Sequence, residues 1–239
     1  MTSATAEKNN LQFYFNLLQK YCTCAPEICY NKGRVFCVQK NTRKGKEMIP
    51  LYPELILASQ SPRRRELLAQ MGVPFEIIVA DTQEAQSGSP RELVMENARL
   101  KAKAVHEMHK GRMILGADTV VCVDGQVLGK PKDREDAFRM LKTLSGREHK
   151  VYTGVCLLYA DTEDVRCDET LVHFTPLSDD EILRYIASGE PMDKAGAYAI
   201  QGMAGMYVDK IHGSFSNVIG LPMALVRRML QDAAQNTKR

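Results

Sequence analysis

The sequence predicts an α/β domain built on a mixed, twisted β-sheet with helices against its faces. Three observations carry that expectation. Apolar, β-branched runs alternate with capped helical segments from about residue 51 to 235. The two longest strand-like runs, Val151–Ala160 and Val165–Phe174, adjoin as a hairpin, so the sheet is not purely parallel. Neither G-x-G-x-x-G after a strand nor G-x-x-x-x-G-K-[ST] occurs, which argues against dinucleotide-binding and P-loop architectures. At 239 residues and 44% hydrophobic content the chain can bury one full core, so a single domain with an extension at residues 1–50 fits better than two domains.

Residues 1–50 mix an apolar patch, Leu11–Leu18, with a basic run from Asn41 to Lys46 and show no turn chemistry that would tie them to a sheet. They read as a weakly ordered extension. Glu7 comes early and no arginine precedes Arg34, a poor fit to a mitochondrial presequence. A chain starting at Met48 would lose little of the domain.

The domain opens on Leu55–Gly72, where an apolar strand runs into a serine-containing turn and then into a helix carrying Arg63, Arg64 and Arg65. Ser61 suits the N-cap, Pro62 the first helical position and Gly72 the exit. Free N–H groups and the helix dipole beside these arginines suit an anion, although a solvated basic helix would look the same in isolation. Phe75–Ala80 is a second strand, with Glu84 just past its end. Ser89-Pro90-Arg91-Glu92 is a capping box opening a helix to about His109; Leu93, Ala98, Leu100, Ala104 and Val105 supply its apolar face, and Asn97, Lys101 and His106 point elsewhere.

Met113–Val123 is a third strand interrupted by Asp118, which is costly to bury unpaired and fits either an edge position, a bulge or a catalytic role. Asp124-Gly125 forms a hairpin turn, after which Lys130 stands at a strand end. Asp133 caps a helix through Leu144, the hairpin turns at Asp161–Asp164, and a second capping box, Ser178–Glu181, opens a helix closing at Gly189. The small residues of Asp193–Gly202 suit close backbone approach to a neighbour or ligand. Met206–Ile211 is a last strand, followed by a glycine/serine loop and a closing helix from Leu221.

Charge is unevenly placed. Residues 1–50 hold 8 Lys+Arg and 3 Asp+Glu, leaving 24 basic and 26 acidic residues for the rest, so a dedicated nucleic-acid-binding surface over the domain is not expected. No run of about 18 apolar residues and no secretory h-region appears, so a cytoplasmic protein without a membrane segment is expected. Cys122, Cys156 and Cys167 sit in strand-like runs and read as ordinary core or sheet thiols. Cys22, Cys24, Cys29 and Cys37 contain no C-x-x-C pair and have no histidine nearby, so reduced thiols fit better than zinc.

Taken together, Ser59, Arg63 and Arg64 follow the first strand, Glu84 follows the second, Asp118 interrupts the third and Lys130 ends its partner, and strand ends are where α/β sheets open a cleft. Cations beside carboxylates are what triphosphate chemistry with a divalent metal needs: the cations neutralise polyphosphate, and hard oxygens hold Mg²⁺ or Mn²⁺ and orient or deprotonate a water. No G-x-S-x-G elbow suggests serine-triad chemistry.

The segment Ser59-Gln60-Ser61-Pro62-Arg63-Arg64 resembles the S-x-S-P-R-R signature of the Maf (septum-formation) family of nucleotide pyrophosphatases, and Gly116–Val121 resembles its G-A-D-T-[VI]-V strand. Gly129-Lys130-Pro131, Leu144-Ser145-Gly146, Asp193–Tyr198, Ile200-Gln201-Gly202 and Gly220-Leu221-Pro222 are similar to further family blocks in the same order. The resemblance implies a fold shared distantly with the inosine triphosphate pyrophosphatases, and hydrolysis of a nucleoside triphosphate to the monophosphate and pyrophosphate with a divalent cation. It implies Asp118 as proton acceptor or metal carboxylate, Glu84 as metal ligand, and Ser59, Arg63, Lys101 and Lys130 as phosphate contacts.

Arg64, Thr119 and Gln201 match the family branch that prefers dTTP and UTP, with CTP or modified pyrimidines not excluded. A Gln amide, both donor and acceptor, suits the mixed edge of uracil or thymine. The resemblance also suggests a homodimer, without an interface stripe that can be read in the sequence. Three other readings stay open: a purine triphosphatase of the inosine type, a nucleotide-binding regulator of cell division, and nucleic-acid binding through the basic extension.

Overall fold

Nine strands form one mixed sheet in the computed structural model, which describes residues 27–31, 34–38 and 52–236. In chain order the elements are β1 (Glu27–Asn31), β2 (Arg34–Val38), β3 (Leu55–Leu57), α1 (Pro62–Gln70), β4 (Phe75–Ile77), α2 (Pro90–Met108), β5 (Met113–Val123) and β6 (Gln126–Leu128). They continue with α3 (Arg134–Leu144), β7 (Glu148–Tyr159), β8 (Thr162–Phe174), α4 (Asp179–Ala187), β9 (Val208–His212), α5 (Phe215–Ile219) and α6 (Met223–Asn236). The sheet runs β1-β2-β4-β3-β5-β7-β8-β9, with β6 paired to β5. Only β3–β4 and β3–β5 are parallel; every other pairing is antiparallel. The expected α/β class with a mixed sheet is therefore observed.

Strand lengths position the cleft. β3 pairs with β5 only over Leu55–Leu57 against Met113–Leu115, and β6 joins the same edge only from Val121 to Val123, while β7 lines the other edge from Ile114 to Cys122. Among the described residues no strand covers the edge of β5 between those two pairings. Asp118 and Thr119 lie in that gap, and the period of 2 sends their side chains to opposite faces. Asp118 is thus not at a bulge but at a locally uncovered edge of an inner strand, paired with Gly154 on its other side.

The apolar residues collect on both faces. Leu55, Leu57, Leu115 and Ala117 pack under α1 and α6, and Ile56, Ile114 and Cys156 pack under α2. Beyond the gap, Val121, Val123 and Leu128 pack with α3 and α4 in another cluster. The cleft lies between these lobes.

Several boundaries differ from those the sequence predicts. The second strand stops at Ile77 rather than Ala80. The long hairpin turns on Ala160-Asp161, with Ala160 at φ 47°, so Thr162–Asp164 belong to β8 rather than to the turn. The last strand starts at Val208, after a 3₁₀ turn at Met203–Tyr207, and the glycine/serine loop contains α5, capped by Ser214. Both capping boxes form, as does the Asp133 cap. Within the extension, β1 and β2 form a hairpin, and β2 pairs with β4 through Arg34↔Glu76 and Val35↔Phe75. Asn31-Lys32-Gly33 between the two strands is turn chemistry, contrary to the expectation that the segment has none, and the partner strand β4 is too far along the chain to be paired by inspection. The other residues of 1–50, and the tail thiols, lie outside what is described.

Candidate active site

A cleft of about 980 Å³ opens at the uncovered edge of β5. Ser59, Arg63, Arg64, Glu84, Lys101, Asp118, Thr119, Lys130 and Gln201 all line it, whereas Arg65 does not. The nine residues singled out in the sequence thus share one cavity.

On the α2 face, Lys101 Nζ lies 2.6 Å from Asp118 Oδ1 and 2.7 Å from Glu84 Oε1. One ammonium therefore bridges two carboxylates that come from a loop and a central strand. Burial opposes the charge on Glu84, but the hydrogen bond from Lys101 and the charges of Lys101, Lys130 and Arg64 outweigh it and hold its pKa below the usual value. Glu84 is half-exposed while Lys101 and Asp118 are mostly covered, so the bridge is open to the cleft on the Glu84 side.

Helical periodicity predicts that Asn97 points away from the packed face of its helix, yet it is buried. Its Oδ1 accepts the Ala85 N–H at 2.7 Å, and its Nδ2 donates to Ala85 O at 3.2 Å and to Asp118 Oδ2 at 3.4 Å. Asn97 and Lys101, one turn apart on α2, thereby hold the loop backbone and both carboxylates together. Periodicity sorts residues by polarity and so carries no signal for a buried amide.

On the opposite face Arg64 is the centre. Its Nε donates to Gly220 O at 2.9 Å, one terminal nitrogen to Ser59 Oγ at 3.1 Å and the other to Thr119 Oγ1 at 3.0 Å. Burial lowers the pKa of Arg64, with Asp118 and Glu84 opposing that shift and Arg63 adding to it. Arg63 stands free of this knot, in a loose ion pair of 3.9 Å with Asp193. Ser61 sits at the N-cap position without a side-chain cap bond, and its N–H donates instead to Ser59 Oγ at 3.3 Å.

The second lobe contributes Lys130 and Gln201. Gly196 N–H donates to Gly129 O at 2.9 Å, and a Cβ on Gly196 would come within 2.8–3.0 Å of Val121, so the small residues of this block do serve close approach. That contact sets Lys130 at the cleft rim. The Gln201 loop is braced at both ends: Ala199 N–H donates to Tyr185 Oη at 3.2 Å, and Met203 N–H to Glu190 Oε2 at 3.2 Å.

Asp81, Glu84, Asp118 and Asp193 all line the cleft, and of these carboxylates Glu84 and Asp118 share a partner in Lys101. These two converge on one point and suit a cation that takes one or two carboxylates and completes its shell with phosphate oxygens and water. Among the described residues no group of three or more His, Cys, Asp or Glu side chains is assembled for a metal. Burial raises the thiol pKa of Cys156 to about 12 and of Cys167 to about 11, in keeping with inert thiols. No helix among the described residues is long and apolar enough to cross a membrane.

Comparison with known proteins bears on the whole domain. The chain is 52% identical to a dTTP/UTP pyrophosphatase of Symbiobacterium thermophilum over 179 residues, 74% of this chain and 92% of that protein. It is 49% identical to a dTTP/UTP pyrophosphatase of Thermococcus gammatolerans over 73% of this chain and 94% of that protein. A dTTP/UTP pyrophosphatase of Bacillus velezensis is 50% identical over 74% of this chain and 95% of its own length. Residues 54–233 match the family described as Maf-like protein, and the chain belongs to that family.

Proposed function

We propose that this protein hydrolyses pyrimidine nucleoside triphosphates, UTP and dTTP ahead of CTP, to the monophosphate and pyrophosphate with a divalent cation. The observation that carries this reading is the convergence of Glu84 and Asp118 on Lys101 within 2.7 Å, in a cleft also lined by Arg63, Lys130 and Ser59. The names of the three relatives support the substrate class.

Mg²⁺ or Mn²⁺ held at Glu84 and Asp118 would supply Lewis acidity toward the phosphoryl oxygens. Lys101 then exchanges its carboxylate partners for phosphate oxygens. Ser59 Oγ already accepts from Ser61 N–H and Arg64, so its own proton is free to be donated to a phosphate oxygen. Asp118 takes a proton from a water attacking the α-phosphorus. The bond between that phosphorus and its bridging oxygen breaks, and the electron pair leaves on pyrophosphate, whose charge faces Arg63, Lys101 and Lys130.

Pyrophosphate release by the full chain from UTP, dTTP, CTP, ITP and GTP, with and without Mn²⁺ or Mg²⁺, tests this reading. UTP and dTTP should lead, and chelation should abolish turnover. Asp118→Ala should reduce kcat by at least about 10²-fold while thermal unfolding stays cooperative. Full activity in that variant would remove the proposed proton acceptor, and no pyrophosphate from any nucleotide would remove the function.

A further inference from the structure

Behind Thr119 lies a buried polar chain that none of the expected roles uses. Thr153, on β7 and fully buried, places its Oγ1 3.0 Å from Thr119 Oγ1 and 3.1 Å from Asn217 O. A carbonyl oxygen only accepts, so the Thr153 proton goes to Asn217 O; any other placement would set lone pairs against each other at 3.1 Å. The Thr119 proton must therefore go to Thr153 Oγ1. One lone pair of Thr119 Oγ1 is already taken by Arg64. The chain runs one way, from the Arg64 guanidinium through Thr119 and Thr153 to Asn217 O.

Its consequence is at the cleft. With its proton turned inward, Thr119 offers a ligand one lone pair and nothing else. We infer that Thr153 is a positioning residue for substrate choice: it fixes Thr119 as an acceptor, which fits a base presenting an N–H, as uracil and thymine do at N3, and opposes cytosine, which presents a lone pair there. This rests on the pyrimidine triphosphatase reading above and on Thr119 meeting the base. Arg64 on this view selects through Thr119.

Thr153→Val keeps the shape but removes the inward acceptor, freeing the Thr119 proton to turn toward the cleft. Asn217 O keeps a partner in that variant, the Gly220 N–H at 3.0 Å. The ratio of kcat/KM for UTP over CTP should fall by about tenfold in Thr153→Val, chiefly because CTP improves, while Thr153→Ser retains the wild-type ratio. A cooperatively folded Thr153→Val with an unchanged ratio overturns the inference; a merely structural role would lower both substrates alike, and that outcome also overturns it. If the valine variant does not fold, a neutron structure of the wild type decides. Deuterium on Thr119 Oγ1 directed at Thr153 Oγ1 supports the inference; deuterium on Thr153 directed at Thr119, or on Thr119 directed into the cleft, overturns it. A wild type that releases no pyrophosphate from UTP or dTTP is instead the failure of the underlying reading, and takes this inference with it.

Discussion

Lys101 bridges Glu84 and Asp118, and Asn97, one turn earlier on α2, fixes the backbone next to Glu84. The carboxylate pair is therefore held by two side chains of different kinds, one that a cation can displace and one that stays. Asn97→Leu should leave the helix in place, since leucine is a better helix former and has the same branched shape, while releasing the Ala85 loop. Direct Mn²⁺ binding, read by electron paramagnetic resonance without nucleotide, should weaken by about 10–100-fold, as supporting residues of metal sites commonly show. An unchanged Mn²⁺ affinity would mean that Lys101 alone sets the geometry. Asn97 also marks a limit of the sequence at this scale. Arg63, Arg64 and Lys130 near strand ends and Asp118 within an apolar strand stand out because such charges do nothing for core packing, whereas a buried amide on an amphipathic helix is indistinguishable from a solvated one until its partners are known. Arg64 was legible as a site residue, but its bonds to Gly220, Ser59 and Thr119 join segments too far apart in the chain to be paired by inspection.

At the scale of elements, α2 is delivered to the sheet by two glycines. A Cβ on Gly116 would sit 2.3 Å from Ala98 O, and one on Gly154 would sit 2.2 Å from Val94 O. The helix backbone lies directly on β5 and β7, and only that approach brings Asn97 and Lys101 down to Asp118. Gly154→Ala should cost about 1–3 kcal/mol in urea unfolding as the helix is forced outward. Its kcat/KM should fall more than that loss of stability accounts for, because α2 carries Lys101 and Asn97, which hold both carboxylates; loss of stability with full activity would separate the helix from the chemistry. The same strand, β7, carries His149, buried against Phe174 at 5.0 Å between ring centres and hydrogen-bonded to Tyr198 Oη at 2.8 Å. Burial, with a smaller contribution from His173, pulls its pKa from 6.5 down to about 4. At that group the unfolded chain then binds more protons than the native one between those values, so the contribution of His149 to stability is greatest above pH 6.5 and is lost as pH falls toward 4, by about 3 kcal/mol in all. Urea midpoints at pH 7 and pH 5 should show that decline, and His149→Gln should flatten it. The capped helices were legible because capping chemistry is local. The glycine contacts were not, since a glycine in a strand announces a close approach without naming what approaches.

For the whole molecule, the cleft follows from unequal strands: three residues in β3, three in β6 and eleven in β5 leave the middle of β5 uncovered on one side. The sequence shows those lengths approximately, but strand order is a matter of long-range pairing, and the gap exists only because β3 and β6 pair with the same edge. The hairpin of β1 and β2 lies at the far end of the sheet, against β4. All nine candidate residues come from Ser59 onward, and the family match begins at residue 54. We therefore propose that residues 51–235 carry the activity, and that the extension acts on the sheet edge instead. A chain starting at Met48 exposes β4, but as an edge strand of only three residues, too short to be a strong template for association. That chain should keep its kcat/KM for UTP within about twofold, as changes remote from a site usually do, and should melt at a lower temperature because the β2 pairing is gone. Loss of turnover in a truncated chain that still unfolds cooperatively would place part of the site in the extension. A melting temperature equal to that of the full chain would mean that the β2–β4 pairing contributes nothing to the stability of the sheet.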